Sequence, residues 1–308
     1  KGNMMNKYIL IFISIIFTAS FLNANSANLK ATIIGSGSPM YNPNRAGSSV
    51  LITQGNTSIL VDMGNGTQAN LNKLKFNIRN VSALFFTHHH LDHNEEFVPL
   101  FIRSILGRKN FTIAGPPNTN KMVSSTFELY KEDISYRLSK SRRNLQDRQN
   151  SFVSKELKGG ESFNINNIKV STQKVPHSIY AIAYRFEYNN QSIVVTGDLT
   201  YTKDLSSFAR KANYLIIDSG GMTMQNQSRK KRPSNTNKLN KRKQGKSAKN
   251  RAHLDLSESS LIAKNAQIKN LVYTHFPSGE INKEKSLNEI RKNYKENVIF
   301  AEDLMQLN

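Results

Sequence analysis

Four imidazoles and one carboxylate fall within six consecutive residues, His88-His89-His90-Leu91-Asp92-His93. These side chains ligate borderline divalent cations such as zinc, through a neutral ring nitrogen or a carboxylate oxygen. The residues just before them, Ala83 to Phe86, are all apolar, so a buried strand delivers the cluster to its place. Alternate side chains of an extended segment share a face, and His88 and His90 therefore reach one cation. Asp92 and His93, on a turn close behind, serve a second cation a few ångströms away, the arrangement on which two-metal hydrolysis relies. Packing so many histidines around an aspartate without a metal would be costly. A purification tag or scavenging tract sits at a chain end and does not follow a buried strand.

The chain has 308 residues, 38% of them hydrophobic, and no cysteine. That length suits one large α/β domain. Without thiols there are no disulfides, no cysteine nucleophile and no thiolate zinc site, so His, Asp and Glu must hold any metal. Near the start, Lys7 precedes Ile9 to Phe17, a run apolar except for Ser14, and the small residues Ala24-Asn25-Ser26-Ala27 follow. This is the pattern of a secretory signal peptide; the run is too short, and too interrupted by Ser14, Thr18 and Ser20, for a bilayer span of roughly 20 residues. We expect a leader over 1–27, with Lys1-Gly2-Asn3 as upstream sequence before Met4 or Met5, and a periplasmic or secreted domain over 28–308 with no transmembrane span.

The formal net charge is +21, and Arg229 to Arg251 alone contributes eleven Lys or Arg with no Asp or Glu. This segment, part of an insertion over 225–252, is almost devoid of apolar residues. It cannot bury a core and is expected to be disordered. Two readings stay open: a solvated, tolerated insertion, or an attractor for polyanions such as nucleic acid or an anionic cell surface. No aromatic residue interleaves the cations, which argues against base stacking there.

The elements that must position the histidines follow from periodicity and turn residues. Leu29 to Ile34 reads as a strand, and Ser49 to Thr53 with Ser58 to Val61 as a hairpin turning at Gln54-Gly55-Asn56. Gln68 to Leu74 and Glu95 to Leu106 have helical spacing, and Phe111 to Ala114 is strand-like. The polar, largely helical stretch Asn118 to Gln149 is expected to pack outside. Ile168 to Gln173, Ala181 to Tyr188, Ile193 to Thr196 and Tyr214 to Ile217 read as a second set of strands. Ser257 to Asn265, Leu271 to Thr274, Asn282 to Tyr294 and Val298 to Phe300 close the chain as helix, strand, helix, strand. A meander followed by alternation implies two facing sheets with helices outside.

The order His-X-His-X-Asp-His after an apolar strand resembles the metallo-β-lactamase superfamily. The resemblance implies an α/β fold, an αββα sandwich of two facing mixed sheets with helices outside, and a metal set of His88, His90, Asp92, His93, His177, Asp198 and His275. In that set His177 completes the first site, Asp198 in Val195-Thr196-Gly197-Asp198 bridges, and His275 completes the second. Gly35-Ser36-Gly37-Ser38-Pro39, Arg45-Ala46-Gly47-Ser48-Ser49, Asp62-Met63-Gly64-Asn65-Gly66 and the ending Ala252-His253-Leu254-Asp255-Leu256 are similar to ribonuclease Z and to exported arylsulfatase-like relatives. There the histidine matching His253 stabilises the scissile phosphate or its leaving group, and a carboxylate behind it usually supports it. The chain departs from that pattern at Asn94, where glycine is common, and at Asn65, where ribonuclease Z is acidic. With the export signal, these departures argue against strict transfer-RNA maturation.

The implied mechanism is hydrolysis by two divalent ions, zinc by donor type with manganese or iron as alternatives. Sharing Asp198 and a water, the ions would bring that water towards neutral pKa, giving a hydroxide to attack phosphorus, sulfur or carbonyl. Asp92 would hold the nucleophile's proton and His253 would protonate or stabilise the departing oxygen, which makes Asp92 and His253 the catalytic pair. A phosphodiester is the expected substrate, small or polyanionic. An aryl or alkyl sulfate and a non-catalytic polyanion-binding module are the rival readings. A homodimer is left open.

Overall fold

The computed structural model describes residues 28–107, 109–225 and 251–308. The expected leader over 1–27 and nearly all of the basic insertion, 226–250, lie outside the described residues. Hydrophobic strand segments assemble into two seven-stranded sheets. The first uses β1 (Lys30–Gly35), β2 (Ser49–Gln54), β3 (Thr57–Val61), β4 (Ala83–Phe85), β5 (Phe111–Gly115) and β6 (Phe152–Glu156), with β14 (Gln306–Leu307) added outside β1. The second uses β7 (Ser162–Ile165), β8 (Ile168–Val175), β9 (Ala181–Tyr188), β10 (Gln191–Val195), β11 (Tyr214–Asp218), β12 (Asn270–Thr274) and β13 (Asn297–Phe300), side by side in that order.

Side-chain alternation along the central strands sorts residues between two apolar layers. In β3 and β4, Ile59, Val61, Ala83 and Phe85 point into the layer shared by the sheets. Leu60 and Leu84 point to the opposite layer. That outer layer is closed by α1 (Thr67–Lys73), α2 (Phe97–Ile105), α3 (Thr119–Leu129) and α4 (Lys131–Ser139), through Leu71, Leu100, Phe101, Val123, Phe127, Ile134 and Leu138. A short α5 (Leu145–Gln149) follows. On the second sheet, α6 (Asp204–Phe208) and α7 (Leu256–Ala266) cover the outer face, and α8 (Lys283–Ile290) packs on α7. The sheets meet at Phe85, whose ring stacks on Tyr184 with centroids 5.0 Å apart. The Tyr184 hydroxyl donates to the Phe86 carbonyl at 2.7 Å. Among the described residues no helix is long and apolar enough to cross a membrane.

Three strands were not expected from the sequence: β6, β7 and the two-residue β14. The expected helical stretch over Asn118 to Gln149 is broken into three helices, and β6 follows it directly as the edge of the first sheet.

Strand direction decides where the site lies. β3, β4, β5 and β6 run parallel, as do β10, β11, β12 and β13. β8 is antiparallel to β9, and β9 to β10, so β8 runs with β10. The carboxyl ends of β3, β4, β8, β10, β11 and β12 thus open onto one edge of the sandwich, where α/β proteins place their ligands.

Candidate metal centre

Each of those strand ends carries one part of the cluster. His88 and His90 follow β4, and Asp92 and His93 lie on the 3₁₀ turn Leu91–His93. His177 follows β8, Asp198 follows β10, His275 follows β12, and His253 leads into α7. Five remote stretches of chain therefore converge. His88 Nε2 and His177 Nε2 both stand 3.1 Å from His90 Nδ1, and His88 Nε2 is 3.9 Å from Asp198 Oδ2. On the other side, Asp92 Oδ2 is 3.1 Å from His275 Nε2 and 3.4 Å from His93 Nε2. His93 Nε2 is 3.5 Å from Asp198 Oδ1, and His275 Nε2 is 3.5 Å from Asp198 Oδ2. Among the described residues, Asp198 is the carboxylate whose oxygens face both groups.

The spacing has a simple reading. Ligand atoms held about 2.0–2.2 Å from one tetrahedral ion lie on the order of 3.3 Å from each other, and these nitrogens and oxygens are already that close. Two of the atoms are buried orphans: His93 Nε2 and Asp198 Oδ1 have no hydrogen-bond partner among the described residues. A buried polar atom left so costs about 1–3 kcal/mol, and both atoms face the same small volume. The donor set thus fits divalent metal, with His88, His90, His177 and Asp198 forming one group of convergent ligand atoms, Asp92, His93 and His275 another, and Asp198, His253 and His275 a third that overlaps both.

Each ring is turned so that a lone pair faces inward. His93 Nδ1–H donates to Asp62 Oδ2 at 2.8 Å, which frees Nε2. His177 Nδ1–H donates to the Ala252 carbonyl at 3.0 Å. His88 Nδ1–H donates to Thr87 Oγ1 at 3.0 Å, and that hydroxyl donates to Asp62 Oδ2 at 2.7 Å. Asp62 also accepts the Thr87 amide at 2.8 Å. One buried carboxylate therefore fixes His93 directly and His88 through Thr87, as partners behind metal ligands do. Asp62 and His275 both sit at φ 60, a region costly for non-glycine residues and held here by the surrounding contacts. The His275 carbonyl is pinned by the Ser219 hydroxyl at 2.8 Å.

The electrostatics match the ligand roles except at His93. There burial would lower the pKa, but the Asp198 and Asp62 carboxylates hold it well above the usual histidine range, so that ring must shed a proton to bind a cation. Burial, aided by the neighbouring imidazoles, holds His88 far below the usual histidine range, so it is neutral and ligand-competent. Burial likewise lowers His177. Burial would raise Asp198, but the His275 and His93 rings outweigh it and hold the carboxyl well below its ordinary range. Asp92 is treated the same way: burial raises it, while the His275 hydrogen bond and the His93 charge bring it below the usual value. His253 is raised, chiefly by the Asp218 carboxylate. Its Nδ1 lies 3.7 Å from Asp218 Oδ2 and 3.9 Å from Asp198 Oδ2, distances of ion pairing and not of hydrogen bonding. Asp218 is itself held by the amides of Leu199 and Gly220 at 3.1 and 2.8 Å.

The structure thus brings every sequence-identified residue, His88, His90, Asp92, His93, His177, Asp198, His253 and His275, to one edge. Sequence reasoning assigned no role to Asp62, Thr87 and Asp218. Asp62 had one signal, its place in Asp62-Met63-Gly64 at the end of a strand; Asp218 had none beyond ending β11. His89 turns away from the metal ligands, its Nε2 3.0 Å from Thr119 Oγ1 and its ring packed on Phe86.

Comparison with known proteins gives the same picture. The model of the family described as Anti-Pycsar protein Apyc1 matches residues 29–228. Ribonuclease Z of Mycolicibacterium paratuberculosis is 29% identical over 197 residues, spanning 61% of this chain and 69% of its own length. The metallo-β-lactamase fold protein YhfI from Bacillus subtilis superposes with TM-score 0.68 at 19% identity, covering 91% of this chain and all (100%) of its own. Human tRNase Z, short form, superposes with TM-score 0.65 at 21% identity, over 91% and 98% of the two chains. The chain has the metallo-β-lactamase fold, with two mixed sheets flanked by helices.

Proposed function

This chain belongs to the Anti-Pycsar protein Apyc1 family, and on that premise we propose that it hydrolyses phosphodiesters with two divalent cations held on either side of Asp198. It is a metal-dependent hydrolase of phosphodiesterase type. The carrying observation is the geometry of Asp198, whose Oδ1 faces His93 while Oδ2 faces His88 and His275. His88, His90 and His177 would hold one cation, Asp92, His93 and His275 the other, with Asp198 shared. When bound, such a pair supplies Lewis acidity at the phosphoryl oxygens and a nucleophilic water at neutral pH, and the all-nitrogen-and-oxygen donor set suits zinc.

The chain's own groups divide the proton traffic. Asp92, ionised at neutral pH and less enclosed than Asp198, accepts the proton of the attacking water. His253, its pKa raised by Asp218 and its side chain 38% exposed at the mouth of the site, donates to the departing oxygen. Similarity in sequence to proteins named ribonuclease Z favours phosphodiesters over sulfate esters. A hydrolase that opposes another system, as the family's name describes, does so by destroying one of its components; a small phosphodiester is the simplest such target for this site. Export to the periplasm or beyond belongs to the same proposal and rests on Lys7 and the apolar run Ile9 to Phe17.

Metal-loaded protein should be assayed side by side on a chromogenic phosphodiester, an aryl sulfate and a β-lactam. Turnover of the phosphodiester at least about a hundredfold above the others is expected from the charge-matched histidine at the leaving group. A preference for the sulfate would overturn the assignment.

A further inference from the structure

Nine large hydrophobic side chains are exposed among the described residues; three of them, Leu91, Ile179 and Tyr201, stand on loops that carry metal ligands, and two more, Met40 and Tyr41, stand on the β1–β2 loop fastened beside His275. Single exposed apolar residues are ordinary on any surface. Concentration around one site is not. Leu91, 69% exposed, lies between His90 and Asp92. Ile179 lies two residues past His177, beside Ser178, whose hydroxyl is 3.2 Å from His90 Nε2. Tyr201 lies three residues past Asp198, and the Thr200 amide ties its loop to the Pro176 carbonyl at 2.8 Å. The loop of Met40 and Tyr41 is fastened beside His275, since the Ser38 amide donates to the Phe276 carbonyl at 3.0 Å and the Ser278 hydroxyl lies 3.7 Å from Met40 Sδ.

The loops from which these five residues project therefore frame the cluster from the β4, β8, β10 and β12 sides. A bare phosphate gains nothing from such a rim, because its oxygens prefer water. A flat π-system gains from both faces, by burial and by stacking on a tyrosine ring. We infer that Tyr41 and Tyr201, supported by Leu91 and Ile179, are specificity-determining residues that grip a flat aromatic group esterified to the phosphorus on the side that does not leave. This rests on the phosphodiesterase reading and adds to it the chemistry of the retained ester group. The aromatic group is either a simple aryl ring or a nucleobase.

The test uses three diesters with the same leaving group, p-nitrophenolate, and different retained groups: methyl, phenyl and thymidine 5′. The zinc-loaded full chain should show kcat/KM for the phenyl or thymidine ester roughly tenfold or more above the methyl ester, the scale of one stacked ring. The double variant Tyr41→Ser, Tyr201→Ser should bring that ratio towards one, and Tyr41→Phe with Tyr201→Phe should keep it. Preference for phenyl alone identifies an aryl ring, and preference for thymidine alone a nucleobase. A wild-type ratio near one, with all three esters turned over, overturns this inference and leaves the phosphodiesterase reading standing. No turnover of any ester overturns both. A double variant that keeps the ratio but lowers the sedimenting mass shows the rim to be covered by a second copy of the chain, which also overturns it.

Discussion

Asp62 is the least conspicuous residue of the centre and gives the sharpest test of how its rings are set. It is 2% exposed and accepts three hydrogen bonds, from the Thr87 amide, the Thr87 hydroxyl and His93 Nδ1. Asp62→Asn keeps the shape, and at φ 60 it keeps the backbone, because asparagine visits the left-handed region as readily as aspartate. The amide oxygen in the Oδ1 place still accepts from Thr87, but the NH₂ in the Oδ2 place donates where the carboxylate accepted. His93 must then accept at Nδ1 and carry its proton on Nε2, the atom 3.4 Å from Asp92 and 3.5 Å from Asp198. A protonated nitrogen has no lone pair for a cation. Loss of such a partner typically lowers metal affinity about 10–100-fold, or about 1.4–2.8 kcal/mol. Asp62→Ala would confuse the result, since three donors left unmatched at about 1–3 kcal/mol each threaten the fold itself. Competition for zinc against a chromophoric chelator reads the affinity, and a circular-dichroism melt of the metal-free protein checks folding. An Asp62→Asn protein that melts like wild type and binds zinc within about threefold of it would refute the reasoning.

Replacement of His253 by alanine should leave zinc content unchanged and lower turnover by about 10²–10⁴-fold, the usual contribution of a proton donor; equal loss of metal in the variant would make His253 a ligand, as its place beside Asp198 and His275 permits. Acid stability has a separate source in Glu161. Burial would raise its pKa, but hydrogen bonds from the Thr172 hydroxyl and the Lys158 and Gly159 amides hold it below the ordinary 4.5. A depressed folded-state pKa adds stability above the unfolded value that is lost as pH falls through the folded one. The melting temperature of Glu161→Gln should therefore trail wild type at pH 7, and the gap should narrow as the pH falls below 4.5 towards the depressed folded-state pKa; a gap that stays constant over the whole acid range in which the protein folds would show no such linkage. Finally, if the eleven cations of Arg229 to Arg251 draw in polyanions, kcat/KM on an oligonucleotide should fall steeply between about 50 and 200 mM salt. Removal of that segment should flatten the slope, and the same slope without it would leave the segment a tolerated insertion.

Much of the centre was legible because its ligands are written close together. His88 to His93 are consecutive and follow an all-apolar strand, so chemistry and placement come from one stretch of sequence. His177, Asp198 and His275 were reached through family resemblance, and the structure shows why resemblance was needed: each is a single polar residue after an ordinary strand, joined to the others only by the shared direction of β8, β10 and β12. Asp62 was harder still. Its function depends on β3 ending alongside β4, a register that no local pattern encodes. The missed strands have the same kind of cause. β6 reads Phe152-Val153-Ser154-Lys155-Glu156, with no buried residue, and an edge strand open to solvent lacks the alternation by which strands are recognised. β14 is two residues long and exists only because β1 offers it a partner.

Counting metal is the most direct trial of a shared Asp198. After exhaustive dialysis against buffer with trace zinc, elemental analysis of the wild-type chain should give two ions per molecule. His177→Ala should retain one, and Asp198→Ala, deprived of the carboxylate common to both groups, should retain neither at the same free zinc. A wild-type chain that holds a single ion, or an Asp198→Ala chain that still holds two, would contradict the bridged pair on which the hydrolytic reading stands.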